Sequence, residues 1–230
     1  MYTAIKEEAY HCNIQLPQLG LILFTFGNVS VADRSKGIFA IKPSGIPYDQ
    51  LTPDHMVIVD FEGNTVEGRL RPSSDTKTHA VLYKHWEVGG ITHTHSTYAT
   101  AWAQSQRDIP IFGTTHADHL TTDIPCAPPM DDAKIKGNYE YETGFQIIDH
   151  FASHSLDYNE VEMVLVGNHA PFCWGTTGAK SVYNSAVLEQ VAQMAYLTEQ
   201  INPQAPSLKE SLIRKHYERK HGGDAYYGQE

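Results

Sequence analysis

The sequence predicts a single-domain α/β fold, a sandwich in which helices and strands alternate on one sheet. Three observations predict it. Apolar residues switch repeatedly between helical and strand-like periods along the chain. No segment repeats at a fixed period, and no linker rich in Pro, Gly or Ser divides residues 1–230. A length of 230 residues is enough for one sizeable core.

In order along the chain, residues 3–17 read as a helix ending near Pro17. Segments 21–31 (LILFTFGNVSV) and 37–42 (GIFAIK) are rich in β-branched and aromatic residues and read as strands. Residues 56–70 read as a hairpin turning at Gly63 and Asn64. Ser73, Ser74 and Asp75 are capping residues that open a helix over THAVLYKHW, which Gly89 and Gly90 stop. A short strand follows at 91–95, then helices at 97–106 and 139–155 and a buried strand at 161–167. The clearest helix is 178–200, with Tyr183, Val187, Val191 and Met194 as its apolar stripe. A last helix covers 207–219, and Gly222 and Gly223 release a short aromatic tail.

Composition narrows the function. Apolar residues make up 41% and charged residues 19%, as in a folded globular chain and unlike a disordered one. Asp and Glu outnumber Lys and Arg 27 to 17, and a net charge of -10 repels a nucleic-acid backbone. No nucleic-acid partner is therefore expected. No membrane partner is expected either, because no apolar run approaches the roughly 20 residues that cross a bilayer. Glu7 and Glu8 stand where a signal peptide would be apolar. Cys12, Cys126 and Cys173 are sparse, odd in number and outside any CxxC pair, so a cytoplasmic location is expected and the thiols read as small core residues.

Two clusters carry chemistry. His93 and His95 lie two apart on a strand, so both project from one face. Two imidazoles at that spacing suit a divalent transition metal, though a polar strand with solvated histidines has the same pattern. His169 just after the strand at 161–167 and Asp75 at a helix start are further donors, and three His with one carboxylate suit zinc. The second cluster is Lys42, Ser44 and Gly45 after one strand, and Ser73 and Ser74 before a helix. Small residues let backbone approach an anion, a helix N-terminus adds partial positive charge, and Lys42 adds a full one. Asn28 offers an amide donor. Two turns and an N-cap would look the same, and no Walker A or GxGxxG loop is present.

The motifs GNVS (27–30), IKPSG (41–45), PSSDT (72–76), HTHS (93–96), GTTHAD (113–118), ETG (142–144), HAPFCWG (169–175) and KHYERKHGGDAYYGQ (215–229) occur in this order. Together they resemble the class II aldolase/adducin-head family over essentially the whole chain. The resemblance implies an α/β/α sandwich around a largely antiparallel central sheet, and a cyclic homotetramer with active sites between neighbouring subunits. It implies Asp75, His93, His95 and His169 as ligands of one Zn2+ per subunit, with Mn2+ or Co2+ as possible substitutes. Asn28, Lys42, Ser44, Gly45, Ser73 and Ser74 would line a phosphate pocket. Asp118 and Tyr227 match acid/base residues, Tyr227 reaching the site from an adjacent subunit, and His216 matches a further active-site histidine. Tyr226 reads as packing, and His116 as a neighbour of Asp118 placed to orient it.

The activity implied is epimerisation at C4 of a phosphorylated ketopentose, interconverting L-ribulose 5-phosphate and D-xylulose 5-phosphate by cleaving and remaking C3–C4. Both L-arabinose and L-ascorbate catabolism pass through this substrate. One alternative is a class II aldolase for a substrate such as L-fuculose 1-phosphate, whose family members carry Glu where this chain has Asp75. Another is a non-catalytic adducin-head-like interaction module. The chain keeps all four candidate ligands and the Tyr-Tyr-Gly-Gln ending, which favours the epimerase.

Overall fold

In the computed structural model, which describes residues 2–223 and 225, eight strands form one sheet. They are β1 (Asn28–Asp33), β2 (Ile38–Ile41), β3 (Val57–Asp60), β4 (Thr65–Glu67), β5 (Gly90–His93), β6 (Cys126–Ala127), β7 (Met163–Val166) and β8 (Pro171–Gly175). Their spatial order is β4-β3-β2-β1-β5-β8-β7-β6. Every pairing is antiparallel except that of β6 with β7.

Helices cover both faces of this sheet. The longer ones are α1 (Thr3–Gln18), α2 (Thr76–His85), α3 (Thr97–Ser105), α6 (Tyr139–Ser153), α7 (Gly178–Ile201) and α8 (Glu210–His221), with the single turns α4 (Thr114–Ala117) and α5 (Asp132–Ile135) between them. Period-two alternation divides the core. Phe39, Ile41, Val57 and Val59 pack with Leu82 and Tyr83 of α2 and Ile147 and Phe151 of α6. Their neighbours Ile38, Ala40 and Ile58 pack on the other side with Ala9, Cys12 and Leu16 of α1. The expected α/β/α sandwich around a largely antiparallel sheet is the fold observed. No helix is long and apolar enough to cross a membrane, among the described residues.

Three local expectations need correction. The strand read over 21–31 begins only at Asn28. Before it the chain is irregular, with Leu23 and Phe24 facing solvent and Phe24 in the left-handed region at φ 54. Gly27, at φ 74, turns the chain into the strand, and a Cβ there would lie 2.9 Å from the His93 carbonyl oxygen. The stripe assigned to α7 is also displaced: Tyr183 and Met194 are exposed, while Gly178, Ser181, Ser185, Ala192 and Ala195 face inward with Val182, Leu188 and Val191. Small residues let this helix approach the sheet closely, and a search for large apolar residues passes over them. Third, the strand expectations omit β8, in which Pro171 is the first residue, where its missing N–H is tolerated.

The hairpin over β3 and β4 is as expected. The Asp60 carboxylate accepts the backbone N–H groups of Glu62 and Asn64 at 3.0 and 2.7 Å and shapes the turn.

Close approach also constrains Gly90, the first residue of β5. A Cβ there would lie 2.4 Å from the Gly178 Cα and 2.6 Å from the Thr177 carbonyl oxygen. Gly90→Ala is therefore expected to destabilise by about 1–3 kcal/mol, through the backbone shift that overpacking forces. Urea unfolding should show a lower midpoint at an unchanged slope. An unchanged midpoint would mean that α7 yields without cost.

Candidate metal centre and anion cleft

Antiparallel register gathers the site at one end of the sheet. Asn28 at the head of β1 stands opposite His93 at the end of β5, and His93 stands opposite Phe172 near the head of β8. The end of β2 runs into Lys42 at this same end, since Ser30 pairs with Ile41. One cleft of about 480 Å³ is lined by Asn28, Lys42, Ser44, Gly45, Ser73, Ser74, Asp75, His93, His95 and His169. The ten residues expected to bind metal or phosphate thus share a single cavity.

One nitrogen from each of His93, His95 and His169 lies within 4.8 Å of the others. Their ring centroids are 5.0, 4.9 and 5.3 Å apart. Phe172 stacks on His93 at 4.1 Å and fixes its ring plane. His93 Nδ1 donates to the Pro171 carbonyl oxygen at 2.9 Å, which leaves Nε2 with a free lone pair. Burial, then repulsion from neighbouring imidazoles, lowers His95 to about 4 and His169 to about 3, so both are neutral at physiological pH. Three imidazoles with convergent nitrogens are a donor set for a divalent metal.

Asp75 lies outside that three-nitrogen group but on the same cleft wall. It holds the N-cap position of α2, yet its carboxylate makes no capping bond. It accepts instead from the Asn28 amide at 2.6 Å. Burial alone would raise its carboxyl; His93 and His79, the Asn28 hydrogen bond and His169 outweigh burial and hold it below the usual range. The expected cap is thus a carboxylate turned to the site. His79, which interacts electrostatically with Asp75, is fully buried. Its Nδ1 shares a 2.7 Å hydrogen bond with Ser30, and burial lowers it to about 3.

The side of the cleft expected to hold phosphate is built from two loops pinned together. Ser44 N–H donates to the Arg71 carbonyl at 2.9 Å and Ser73 N–H to the Lys42 carbonyl at 3.0 Å. Gly45, at φ 71, turns the first loop. Lys42 is buried, with Nζ 4.7 Å above the Tyr48 ring and 3.3 Å from the Pro43 carbonyl oxygen. Desolvation lowers its ammonium to about 8.

Asp118 and His216 do not reach this cleft within one chain. Asp118 follows α4 and binds to α8: His216 Nδ1 lies 2.9 Å from Oδ1, and Arg219 Nη2 donates to both carboxylate oxygens at 2.8 Å. Burial would raise this carboxyl, but His216, Arg219 and Lys220 hold it below the usual range. His116 does not orient it, because His116 Nε2 bonds the Thr122 carbonyl at 3.0 Å. Tyr226 and Tyr227 lie outside the described residues. Cys12, Cys126 and Cys173 are buried, and desolvation pushes their thiols up to about 11, 12 and 12, as unreactive core residues require. Sequence reasoning missed Tyr139 and Glu140, which line the cleft from the start of α6. The signal available was their position at a helix N-terminus, one turn ahead of the ETG motif.

If Lys42 supplies the charge that attracts phosphate, affinity should hold below pH 8 and fall above it as the ammonium deprotonates. Calorimetric titration with inorganic phosphate should give binding about tenfold weaker at pH 9 than at pH 7. Affinity independent of pH would remove Lys42 from that role.

A sequence profile described as "Class II Aldolase and Adducin N-terminal domain" matches residues 7–196. L-ribulose-5-phosphate 4-epimerase UlaF of Salmonella paratyphi B (strain ATCC BAA-1250 / SPB7) is 45% identical over 226 residues, 98% of each chain. The protein of the same name from Salmonella paratyphi A (strain ATCC 9150 / SARB42) matches equally, at 45% over 98% of each. Among solved structures, an L-fuculose 1-phosphate aldolase superposes with a TM-score of 0.77 at 23% identity, covering 94% of this chain and 96% of its own. That likeness is one of fold. Matching the profile over most of its length and these relatives almost end to end, the chain belongs to the class II aldolase and adducin family, whose enzymes are metal-dependent.

Proposed function

We propose that the chain is an L-ribulose-5-phosphate 4-epimerase, which interconverts L-ribulose 5-phosphate and D-xylulose 5-phosphate. The observation that carries this reading is the single cleft that three clustered imidazoles and Asp75 share with a buried lysine and two serine-containing loops. A phosphorylated ketose needs both ends of such a cleft. The relatives at 45% identity bear this enzyme's name, whereas the aldolase likeness rests on 23%.

Inverting C4 by direct deprotonation is difficult, because no carbonyl adjoins C4 to stabilise a carbanion. C4 does lie β to the C2 ketone. Removing the C4 hydroxyl proton lets the C3–C4 bond break, with its electron pair passing toward C2 and glycolaldehyde phosphate as the other fragment. The aldehyde turns over, and the bond re-forms on its opposite face. His93, His95, His169 and Asp75 would hold Zn2+, with Mn2+ or Co2+ as substitutes, and the metal supplies Lewis acidity that stabilises negative charge developing on the ketose oxygens. Asn28, Lys42, Ser44, Gly45, Ser73 and Ser74 would tether the phosphate, so the cleaved fragment turns without escaping.

Turning over places the C4 oxygen on opposite sides before and after, so two acid/base groups are required. We assign Asp118 and Tyr227, with His216 beside Asp118. Asp118 does not line its own chain's cleft and is bound to α8, which fits a cyclic homotetramer in which one subunit's Asp118, His216 and Tyr227 complete a neighbour's metal centre. Its charge is maintained by Arg219 and His216. A tyrosine hydroxyl, with an ordinary value of about 10, needs a cationic neighbour or the metal to act as a base near neutrality.

The direct test is incubation with L-ribulose 5-phosphate and assay for D-xylulose 5-phosphate. Chelator-sensitive xylulose 5-phosphate with little free glycolaldehyde phosphate is expected; aldehyde accumulating in its place would make the enzyme an aldolase. Shared sites are tested by co-assembling two inactive variants, His95→Asn and Tyr227→Phe. Random assortment should restore about a quarter of the sites, each built from one intact half of each chain. No recovery in verified mixed oligomers would contradict the shared site.

A further inference from the structure

The rings of the three clustered histidines are anchored by different means. His93 Nδ1 is tied to a main-chain carbonyl, that of Pro171. His169 has a side-chain partner: its Nδ1 lies 3.3 Å from the Tyr139 hydroxyl, the ring centroids being 6.0 Å apart. The two residues differ in rigidity. His169 sits in a tight turn between β7 and β8, after Asn168 at φ 60, with its N–H on the Val166 carbonyl at 2.9 Å. That bond holds its backbone but not the orientation of its ring, which packs against His93, His95 and Phe172. Tyr139 begins α6, where its carbonyl accepts the Thr143 hydroxyl at 2.9 Å. Helix α6 is in turn packed against α2 at Gly144, where an added Cβ would lie 2.6 Å from Val81.

We infer that Tyr139 is a positioning residue for His169, its hydroxyl accepting from Nδ1–H so that the Nε2 lone pair is kept for the metal shared with His93 and His95. A neutral imidazole has one N–H and one lone pair, and the partner at one nitrogen decides which nitrogen is free to bind a metal. Outer partners of this kind orient the ring and raise its basicity, and losing one typically weakens metal binding by about 10–100-fold. Without the Tyr139 hydroxyl no side-chain hydrogen bond among those described selects the His169 tautomer that presents Nε2. Because Tyr139 also lines the cleft, its own O–H is left to donate to a ligand there.

The inference rests on the metal-centre reading above, and Tyr139→Phe separates the two. The substitution keeps the ring and removes only the hydroxyl. Starting from metal-loaded enzyme, competition with a chromophoric chelator should show zinc held about 10–100-fold less tightly in the variant. The visible spectrum of the Co2+-substituted variant should shift as well, while thermal unfolding of the two apoproteins coincides. Equal zinc affinity and superimposable Co2+ spectra would overturn the inference. A rise in KM for the phosphosugar with metal affinity unchanged would also overturn it, making Tyr139 a substrate contact. A parent enzyme that retains no divalent metal would overturn the metal centre itself, and the inference with it.

Discussion

The pairing of β5 with β1 on one side and β8 on the other determines where His93 stands, and the site is assembled around that position. Antiparallel neighbours alternate in direction, so the head of β1, the end of β2, the end of β5 and the head of β8 all meet at one end of the sheet. Asn28, Lys42, His93, His95 and His169 come from four separate stretches of chain and arrive together for that reason. A slip of one residue at β5 would send His93 to the opposite face and leave Asn28 without its opposite number. The close contact of Gly90 with Gly178 and Thr177 guards that register from the other end of the strand.

Once the register is set, burial gives the groups their chemical character. Desolvation keeps His95 and His169 neutral, as a metal ligand must be, and brings Lys42 down to about 8, where it still carries charge at physiological pH. Asp75 is kept ionised against burial by its neighbours. Local rules are broken where the site requires it. Asp75 occupies a capping position without capping, and the His79 Nε2 nitrogen is buried with no hydrogen-bond partner among the described residues. Asp75 lines the cleft and His79 interacts with it electrostatically, while other buried polar atoms without a partner among the described residues lie at His55, Thr100 and His116.

Much of this was legible in the sequence. The two-residue spacing of His93 and His95, and the small residues after β2 and before α2, pointed to the metal and anion sides, although β5 ends at His93 and His95, expected on a strand over 91–95, follows it outside the strand. Other features were hidden for identifiable physical reasons. The apolar run at 21–26 has the composition of a strand, but Gly27 delays the strand until Asn28, and Phe24 ends in solvent. Small inward residues concealed the buried stripe of α7. Tyr139 gave no periodic signal because its role depends on a loop thirty residues away in sequence. The placement of Asp118 against α8 follows from tertiary packing, which no short motif encodes.

The central claim is that His93, His95 and His169, with Asp75, form a metal centre. Anomalous diffraction at the zinc edge, on crystals of zinc-loaded protein, tests it most directly. The account predicts one strong peak per chain about 2.0–2.1 Å from a nitrogen of each histidine, with an Asp75 oxygen in the same shell. A peak elsewhere, or none among these three rings at full zinc loading, would contradict it.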